Sequence, residues 1–229
     1  MDYDDEFTES VSDTTREHVF ERDGHACWLC KHETTLHIAH QIDAAASRRF
    51  SVFQDNGTIP SKVTDPSHID NLFPLCPNCH GGYDAVFPEW ILIPDTETLQ
   101  KYIDHEKIDY EERLFVSQNP SIGSVPLRSL PFINRHDVLY HPLIISQKYQ
   151  DFLGSDRRHP PQWPKRWLGE PTTTIHRAAR RGLFESTPTQ LIQLPGRCGR
   201  PGRAWQTGVP EIFWVLVGEL IRLWARPKL

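Results

Sequence analysis

The apolar and polar side chains of one short stretch, residues 35–40 (Thr-Leu-His-Ile-Ala-His), are typical of a β-strand. Successive side chains of a strand point to opposite faces of the sheet. One face of the strand would therefore carry Leu36, Ile38 and His40, and the other face would carry His37 and Ala39. Farther along the chain, a second extended segment is predicted to pair with this strand as the other arm of a hairpin.

Helical signals surround this hairpin, whose second arm is predicted at residues 71–75. A helix should begin at Ser12 or Asp13, because either side chain can cap it, and it should end before Gly24. Residues 79–84 predict a short helix directly after the second arm. The long segment between the two arms predicts loop with short helical turns.

The pattern changes after this first region. Residues 89–94 predict a strand, and Asp95 can cap a long helix whose apolar positions recur with helical spacing. Residues 119–129 contain two prolines and a glycine and predict a linker. Beyond the linker, the clearest helical segments are residues 175–183 and 210–226.

These patterns predict an α+β fold that continues into a mostly irregular or helical C-terminal extension. They divide the chain into four parts. The parts are a disordered acidic tail (1–12), a folded domain with its trailing helix (13–118), a linker (119–129) and a region rich in proline and arginine whose role is unknown (130–229).

Charge is distributed unevenly along the chain. The net charge of −5 taken alone argues against a nucleic-acid-binding protein. Residues 1–23 carry nine acidic side chains against two basic ones, however, whereas residues 156–205 carry ten basic side chains against three acidic ones. A basic segment of this kind can bind a polyanion. The candidates for nonspecific phosphate contact are Arg157, Arg158, Lys165, Arg166, Arg180 and Arg181.

Neither a secretory signal nor a membrane span is indicated. Residues 1–13 are acidic, whereas the corresponding region of a signal peptide is basic. The sequence contains no run of 18 or more apolar residues. We therefore expect an intracellular protein, either nuclear or cytoplasmic.

Four of the five cysteines form two Cys-x-x-Cys pairs. Cys27 and Cys30 make the first pair, and Cys76 and Cys79 make the second, with 45 residues between the pairs. Zn²⁺ prefers four soft ligands in a tetrahedron, and each pair can supply two thiolates from one turn. In a reducing compartment this spacing indicates zinc rather than disulfides. The sequence therefore predicts a structural zinc site, with four unligated buried thiols as the alternative.

A second set of polar side chains surrounds the second cysteine pair. His80 and Asp84 are four residues apart on the predicted helix, so both project from one face and can share a metal ion. A nitrogen and a carboxylate suit Mg²⁺, Mn²⁺ or Zn²⁺ with open water positions. His40 can deprotonate a water, and Asn71 can either orient that imidazole or fix the loop backbone. This set suits hydrolysis of a phosphodiester.

The order of these motifs resembles the HNH endonuclease family, and it is especially similar to the HNH domains of uncharacterised fungal proteins. The resemblance covers about residues 13–94, and no family suggests itself for residues 125–229. The motifs that carry it are Cys27-x-x-Cys30, Ala39-His40-Gln41-Ile42, Asn71-Leu72 and Cys76-x-x-Cys79-His80.

This resemblance implies the ββα-metal fold, also called the His-Me finger, stapled here by a four-cysteine zinc site. It makes His40 the general base, Asn71 its orienting partner and His80 a metal ligand, with Asp84 as a second ligand on the same helix. It also implies a catalytic Mg²⁺ or Mn²⁺ ion at the scissile phosphate and a 5′-phosphate product.

The chain departs from the family pattern around the base. Many members have Asp or His immediately before the base, where it helps to hold the ion, whereas this chain has Ala39. His37, on the same strand face, or Asp43, just beyond the strand, could replace that ligand. Asp43 also stands where the family has proline, and the segment between His40 and Asn71 is longer than usual.

The sequence thus leads to a metal-dependent HNH endonuclease that hydrolyses phosphodiester bonds in DNA. The alternative is a catalytically impaired HNH-fold zinc module that binds nucleic acid or protein, and a weaker third hypothesis is a zinc-stabilised protein-interaction domain. DNA is the expected partner and no membrane is expected. The sequence does not determine the oligomeric state.

Overall fold

The computed structural model describes residues 11–85, 88–155, 163–180 and 211–226. Helices and strands are intermixed along the chain, which confirms the predicted α+β class. In chain order the elements are α1 (Asp13–Asp23), β1 (His37–His40), α2 (Ser47–Asp55), β2 (Leu72–Leu75), α3 (Pro77–Asp84), β3 (Trp90–Pro94), α4 (Thr96–Gln118), β4 (Leu139–Ile144), α5 (Gln147–Ser155), β5 (Lys165–Arg166), α6 (Pro171–Arg180) and α7 (Glu211–Trp224).

Two of the helices begin where their capping residues predict. Ser12 Oγ accepts a hydrogen bond from the Thr15 backbone N–H at 3.1 Å and so caps α1. Asp95 does the same for α4, since its Oδ1 accepts from the Thr98 N–H at 2.7 Å. Each cap satisfies a backbone donor that has no partner within the first turn of its helix.

The first two strands and the helix after them form a ββα unit. β1 and β2 pair antiparallel, with Ala39 opposite Phe73. α3 follows β2 after one residue, because Cys76 occupies the N-cap position and Pro77 suits the first helical turn. The predicted hairpin and its following helix are therefore present.

A second sheet joins the two halves of the chain, with the strand order β3-β4-β5. β3 is buried on both faces, and its side chains alternate between two hydrophobic clusters. Trp90 and Leu92 pack with the ββα unit. Ile91 and Ile93 pack on the opposite side with residues of α4, α6 and α7.

The described residues after 130 are mostly helical or irregular, as the sequence predicts, but they also contain two strands that the sequence pattern does not predict. β4 and β5 add two strands to the sheet that begins with β3, and α7 packs against α4. Residues on both sides of the predicted linker, 119–129, therefore pack together. Pairing with the doubly buried β3 is the physical reason, because a strand buried on both faces requires partners for its backbone groups.

Some predictions concern residues outside the described ranges. These include the acidic tail over residues 1–10 and most of the segment that follows α6. Within the ranges that the structure does describe, no helix is both long enough and apolar enough to cross a membrane.

Candidate functional site

The four cysteines of the two Cys-x-x-Cys pairs meet in one cluster. The Sγ atoms of Cys27, Cys30, Cys76 and Cys79 all lie within 4.8 Å of one another, and none of these cysteines forms a disulfide. The Sγ atoms of Cys30 and Cys76 are 3.7 Å apart. A tetrahedral zinc with sulfur ligands at 2.3 Å requires sulfur–sulfur distances of roughly 3.8 Å. The cluster could therefore hold a metal ion such as zinc.

Local structure brings the two pairs together. The backbone N–H of Trp28, inside the first pair, donates to the carbonyl of Pro74 in β2 at 2.8 Å. The second pair lies at the start of α3, with Cys76 as its N-cap. A helix N-terminus favours negative charge and so stabilises thiolates. The hairpin thus sets the distance between the pairs, which are far apart in sequence.

Hydrogen bonds within the cluster favour the thiolate form of two cysteines. The bond with Cys30 is the largest influence on Cys27 and lowers its pKa to about 7. The bond with Cys27, followed by those with Cys30 and Cys79, holds the pKa of Cys76 well below its usual range. The same hydrogen bonds raise the pKa of Cys30 and Cys79, so only two of the four thiols are shifted towards the thiolate form that binds a metal.

His80 lies beside two of its predicted partners, one at each ring nitrogen. Its Nε2 is 2.8 Å from Asp84 Oδ2, and its Nδ1 is 3.3 Å from His37 Nδ1. The two nitrogens point in different directions, so His80 can share an ion with Asp84 or with His37 but not with both. In the described part of the chain, only the four cysteines bring three or more potential ligand atoms together.

The other carboxylate oxygen of Asp84 contacts a residue from the C-terminal region. Arg177 Nη2 donates to Asp84 Oδ1 at 2.7 Å. Burial would raise the pKa of Asp84, but the hydrogen bond from His80 and the charge of Arg177 outweigh it and lower this pKa to about 2. Asp84 is therefore ionised at neutral pH, as a metal ligand must be.

His40, the predicted base, ends β1 and is partly buried. Its Nε2 is enclosed and has no hydrogen-bond partner among the described residues. Burial lowers the pKa of His40, and the charges that act on it are those of Asp84, Asp43, His80 and Arg177. The imidazole is thus held neutral, which is the form that can accept a proton.

Asn71 fixes the loop backbone rather than the imidazole, which decides between the two predicted roles in favour of the second. Its Oδ1 accepts from the Ile42 N–H at 2.9 Å, and its Nδ2 donates to the Ile42 carbonyl at 2.9 Å and to the Pro66 carbonyl at 2.6 Å. Asn71 is fully buried. Asn71 therefore fixes the backbone at Ile42, two residues after His40, through both its N–H and its carbonyl.

His37 and Asp43, the two candidates to replace the ligand missing at Ala39, have different neighbours. Ala39 itself is fully buried against the core of the ββα unit. His37 is exposed and adjoins His80, as described above. Asp43 Oδ1 accepts a hydrogen bond from Arg177 Nη1 at 3.1 Å. His37 is thus placed beside His80, a predicted ligand.

Arg177 is the site residue that the sequence analysis missed. It belongs to α6, within a segment identified only as a short basic helix. Nothing in the charge pattern separates this arginine from its neighbours in the same basic region. Only the packing of α6 against the ββα unit identifies it.

Lys165, one of the predicted phosphate contacts, donates hydrogen bonds to the backbone between Cys27 and Cys30. Its Nζ donates to the carbonyls of Trp28 at 3.3 Å and Leu29 at 3.0 Å, and it lies 4.1 Å from the ring centroid of Trp163. Burial lowers the pKa of Lys165 to about 8. Arg166 is exposed. The other predicted phosphate contacts are not among the residues that the structure describes: Arg157, Arg158, Arg181 and the side chain of Arg180.

No protein family matches the chain, and neither the curated proteins nor the solved structures contain a significant match.

Proposed function

We propose that this chain is a metal-dependent endonuclease of the HNH type that hydrolyses phosphodiester bonds in DNA. The observation that carries the proposal is the ββα unit with its side chains. A neutral, partly buried imidazole ends the first strand, and an ionised carboxylate paired with a second imidazole ends the following helix. The four-cysteine cluster is a separate group of ligands, so it is available for a structural zinc.

In this proposal His40 is the general base. Its imidazole would accept the proton of the attacking water, and the neutral form that burial favours is the one required. Asn71 positions His40 indirectly by holding the backbone of Ile42. The loop after the base then cannot shift without breaking buried hydrogen bonds.

His80 and Asp84 would hold the catalytic Mg²⁺ or Mn²⁺. Their nearest ligand atoms are 2.8 Å apart, and adjacent ligands of an octahedral ion lie roughly 3 Å apart. Two protein ligands are sufficient, because Mg²⁺ usually keeps several waters and binds substrate phosphate directly. The ion would supply Lewis-acid stabilisation of charge on the phosphate and the leaving oxygen. The expected product carries a 5′-phosphate.

The second candidate is a catalytically impaired module of the same fold that binds nucleic acid or protein. Two observations favour it. Ala39 is fully buried and offers no ligand, and both carboxylate oxygens of Asp84 already accept hydrogen bonds, from His80 and from Arg177. Such a module would keep the zinc and the fold and would lack cleavage.

A plasmid-nicking assay separates the two candidates. Wild type, His40→Ala and His18→Ala are compared with Mg²⁺ or Mn²⁺ and with chelator. His18 lies exposed on α1 and serves as the matched control. We expect the wild type and the control to nick DNA only with the ion, and His40→Ala to be slower by about 100-fold or more, the contribution typical of a general base.

Equal nicking by wild type and His40→Ala would reject the assigned base. DNA retention in a mobility-shift assay without any nicking by wild type would favour the binding module.

A further inference from the structure

Helix α6 carries a charged side chain into the centre of the molecule. Its residues 171–178 are all buried, and the side chain of Arg177 is only 2% exposed. The helix is fixed at its start, where the Glu170 backbone N–H donates to the Asp70 carbonyl at 2.8 Å and its carboxylate pairs with Arg135 at 3.2 Å. α6 is therefore a rigid support for Arg177.

The guanidinium of Arg177 joins two segments of the ββα unit. Nη1 donates to the carbonyl of His40 at 3.0 Å, with further bonds to the segment that follows β1. Nη2 donates to the carbonyl of Tyr83 and to Asp84 Oδ1, both at 2.7 Å, at the end of α3. The guanidinium carbon also lies 3.6 Å from the centroid of the Tyr83 ring.

Arginine is suited to this position for a physical reason. Its planar fork presents donors in fixed directions, and it stacks on aromatic rings, whereas a lysine ammonium is a single point charge. One terminal nitrogen donates to the strand that carries the proposed base, and the other donates to the helix that carries the proposed ligands. The fork therefore sets the separation between His40 and Asp84.

We propose that Arg177 is a positioning residue of this site, which holds the end of β1 and the end of α3 in the relative arrangement that the reaction requires. The proposal rests on the nuclease function proposed above. It gives part of the C-terminal region, which the sequence left without a role, a direct part in the site. Arg177 acts through His40 and Asp84 and need not touch the substrate.

The test compares Arg177→Met, Arg177→Lys and Arg113→Met. Arg113 is a close match, because its side chain is 5% exposed, pairs with Glu106 and Asp109, and lies over the Tyr110 ring. It belongs to α4 and contacts none of the proposed site residues in the described structure. Cleavage rates at saturating Mn²⁺ and hydrogen–deuterium exchange are measured below the unfolding temperature of every variant.

We expect Arg177→Met to lower kcat by about 10- to 100-fold, because small displacements of reacting groups have effects of this size. Amides of residues 41–43 and 83–85 should exchange faster in the same variant. Arg177→Lys keeps the charge and folds more readily, yet it should also lower kcat, since one ammonium cannot serve both segments. Arg113→Met should lose stability and keep the wild-type kcat.

Two results would overturn the proposal. One is a wild-type kcat in Arg177→Met, and the other is an equal loss of kcat in Arg113→Met, which would mean that any buried arginine matters to the same extent. If the wild type itself does not cleave DNA, the nuclease proposal fails. Exchange at the two segments then still decides whether Arg177 holds them together, and unchanged exchange would reject that role too.

Discussion

At the scale of single residues, buried polar side chains connect parts of the chain that are remote in sequence. His176 is one example, next to Arg177 on α6. Its ring stacks on Phe53, with centroids 3.8 Å apart, and on Trp224, with centroids 4.9 Å apart. Its Nε2 lies 3.0 Å from Thr58 Oγ1. The ring thus joins α6 to the segment between β1 and β2 and to α7.

This environment predicts a loss of stability in acid. Burial lowers the pKa of His176 to about 3, so the folded protein keeps the ring neutral where the unfolded chain protonates it near 6.5. The contribution of His176 to stability is therefore complete above pH 6.5 and is lost as the pH falls towards 3. At pH 5 the free energy of unfolding should be lower by about 2 kcal/mol than at pH 7.5 on account of this residue.

Urea denaturation of wild type and His176→Phe at several pH values measures the effect. The difference between the two proteins should shrink or reverse as the pH falls from 7.5 to 5. Between pH 7.5 and 8.5 the difference should stay constant, because the ring is neutral in both states, and this range is the internal control. Parallel pH profiles over the whole range would contradict the prediction.

At the scale of elements, the four-cysteine cluster brings the start of α3 against the loop before β1. These elements are short, since β1 and β2 have four residues each and α3 has eight. Strands and helices of this length are marginal in isolation. A metal that binds only the folded state adds its binding free energy to folding. The position of His80, directly after Cys79, depends on the same cluster.

Loss of one cluster thiol should therefore unfold the ββα unit. A structural zinc contributes on the order of 10 kcal/mol in small zinc domains, which is comparable with the whole stability of a domain. We expect about one zinc per chain in wild type and in Cys198→Ser, which alters the cysteine outside the two pairs. Cys79→Ser should lose the zinc and melt at a much lower temperature. Elemental analysis and circular dichroism measure both quantities, and full zinc content in Cys79→Ser would contradict the assignment.

At the scale of the whole molecule, the two halves of the chain share one sheet and two hydrophobic clusters. β3 lies in the first half and pairs with β4 of the second half, with Leu92 opposite Pro142. Trp167 and Tyr140, both from the second half, pack with Phe73 and Trp90 of the first. The ββα unit therefore obtains part of its core from residues after the predicted linker.

A fragment of residues 1–118 should consequently fail to fold as a unit, even though it contains every predicted metal ligand. It would expose the apolar faces of β3 and α4 that the second half covers. The full chain should unfold in one transition by circular dichroism and by tryptophan fluorescence. A chain that lacks only residues 1–10, which the composition predicts to be disordered, is the matched control. A well-dispersed NMR spectrum from the 1–118 fragment would contradict the prediction.

Sequence alone determined the features that depend on neighbouring residues. The caps at Ser12 and Asp95 and the spacing of each cysteine pair are local, because each follows from contacts within a few residues. The order of motifs also led to His40, Asn71, His80 and Asp84 as a candidate set. Their catalytic roles remain a prediction.

Tertiary structure alone decided the rest. Asn71 bonds the loop of Ile42 rather than the imidazole, because the buried backbone there needs partners. β4 exists as a strand because β3 is buried on both faces and requires a neighbour. Arg177 reaches Asp84 across 93 positions of sequence, and no local pattern distinguishes it from an exposed arginine. Contacts between remote segments depend on how the whole chain packs, and only the folded structure contains that information.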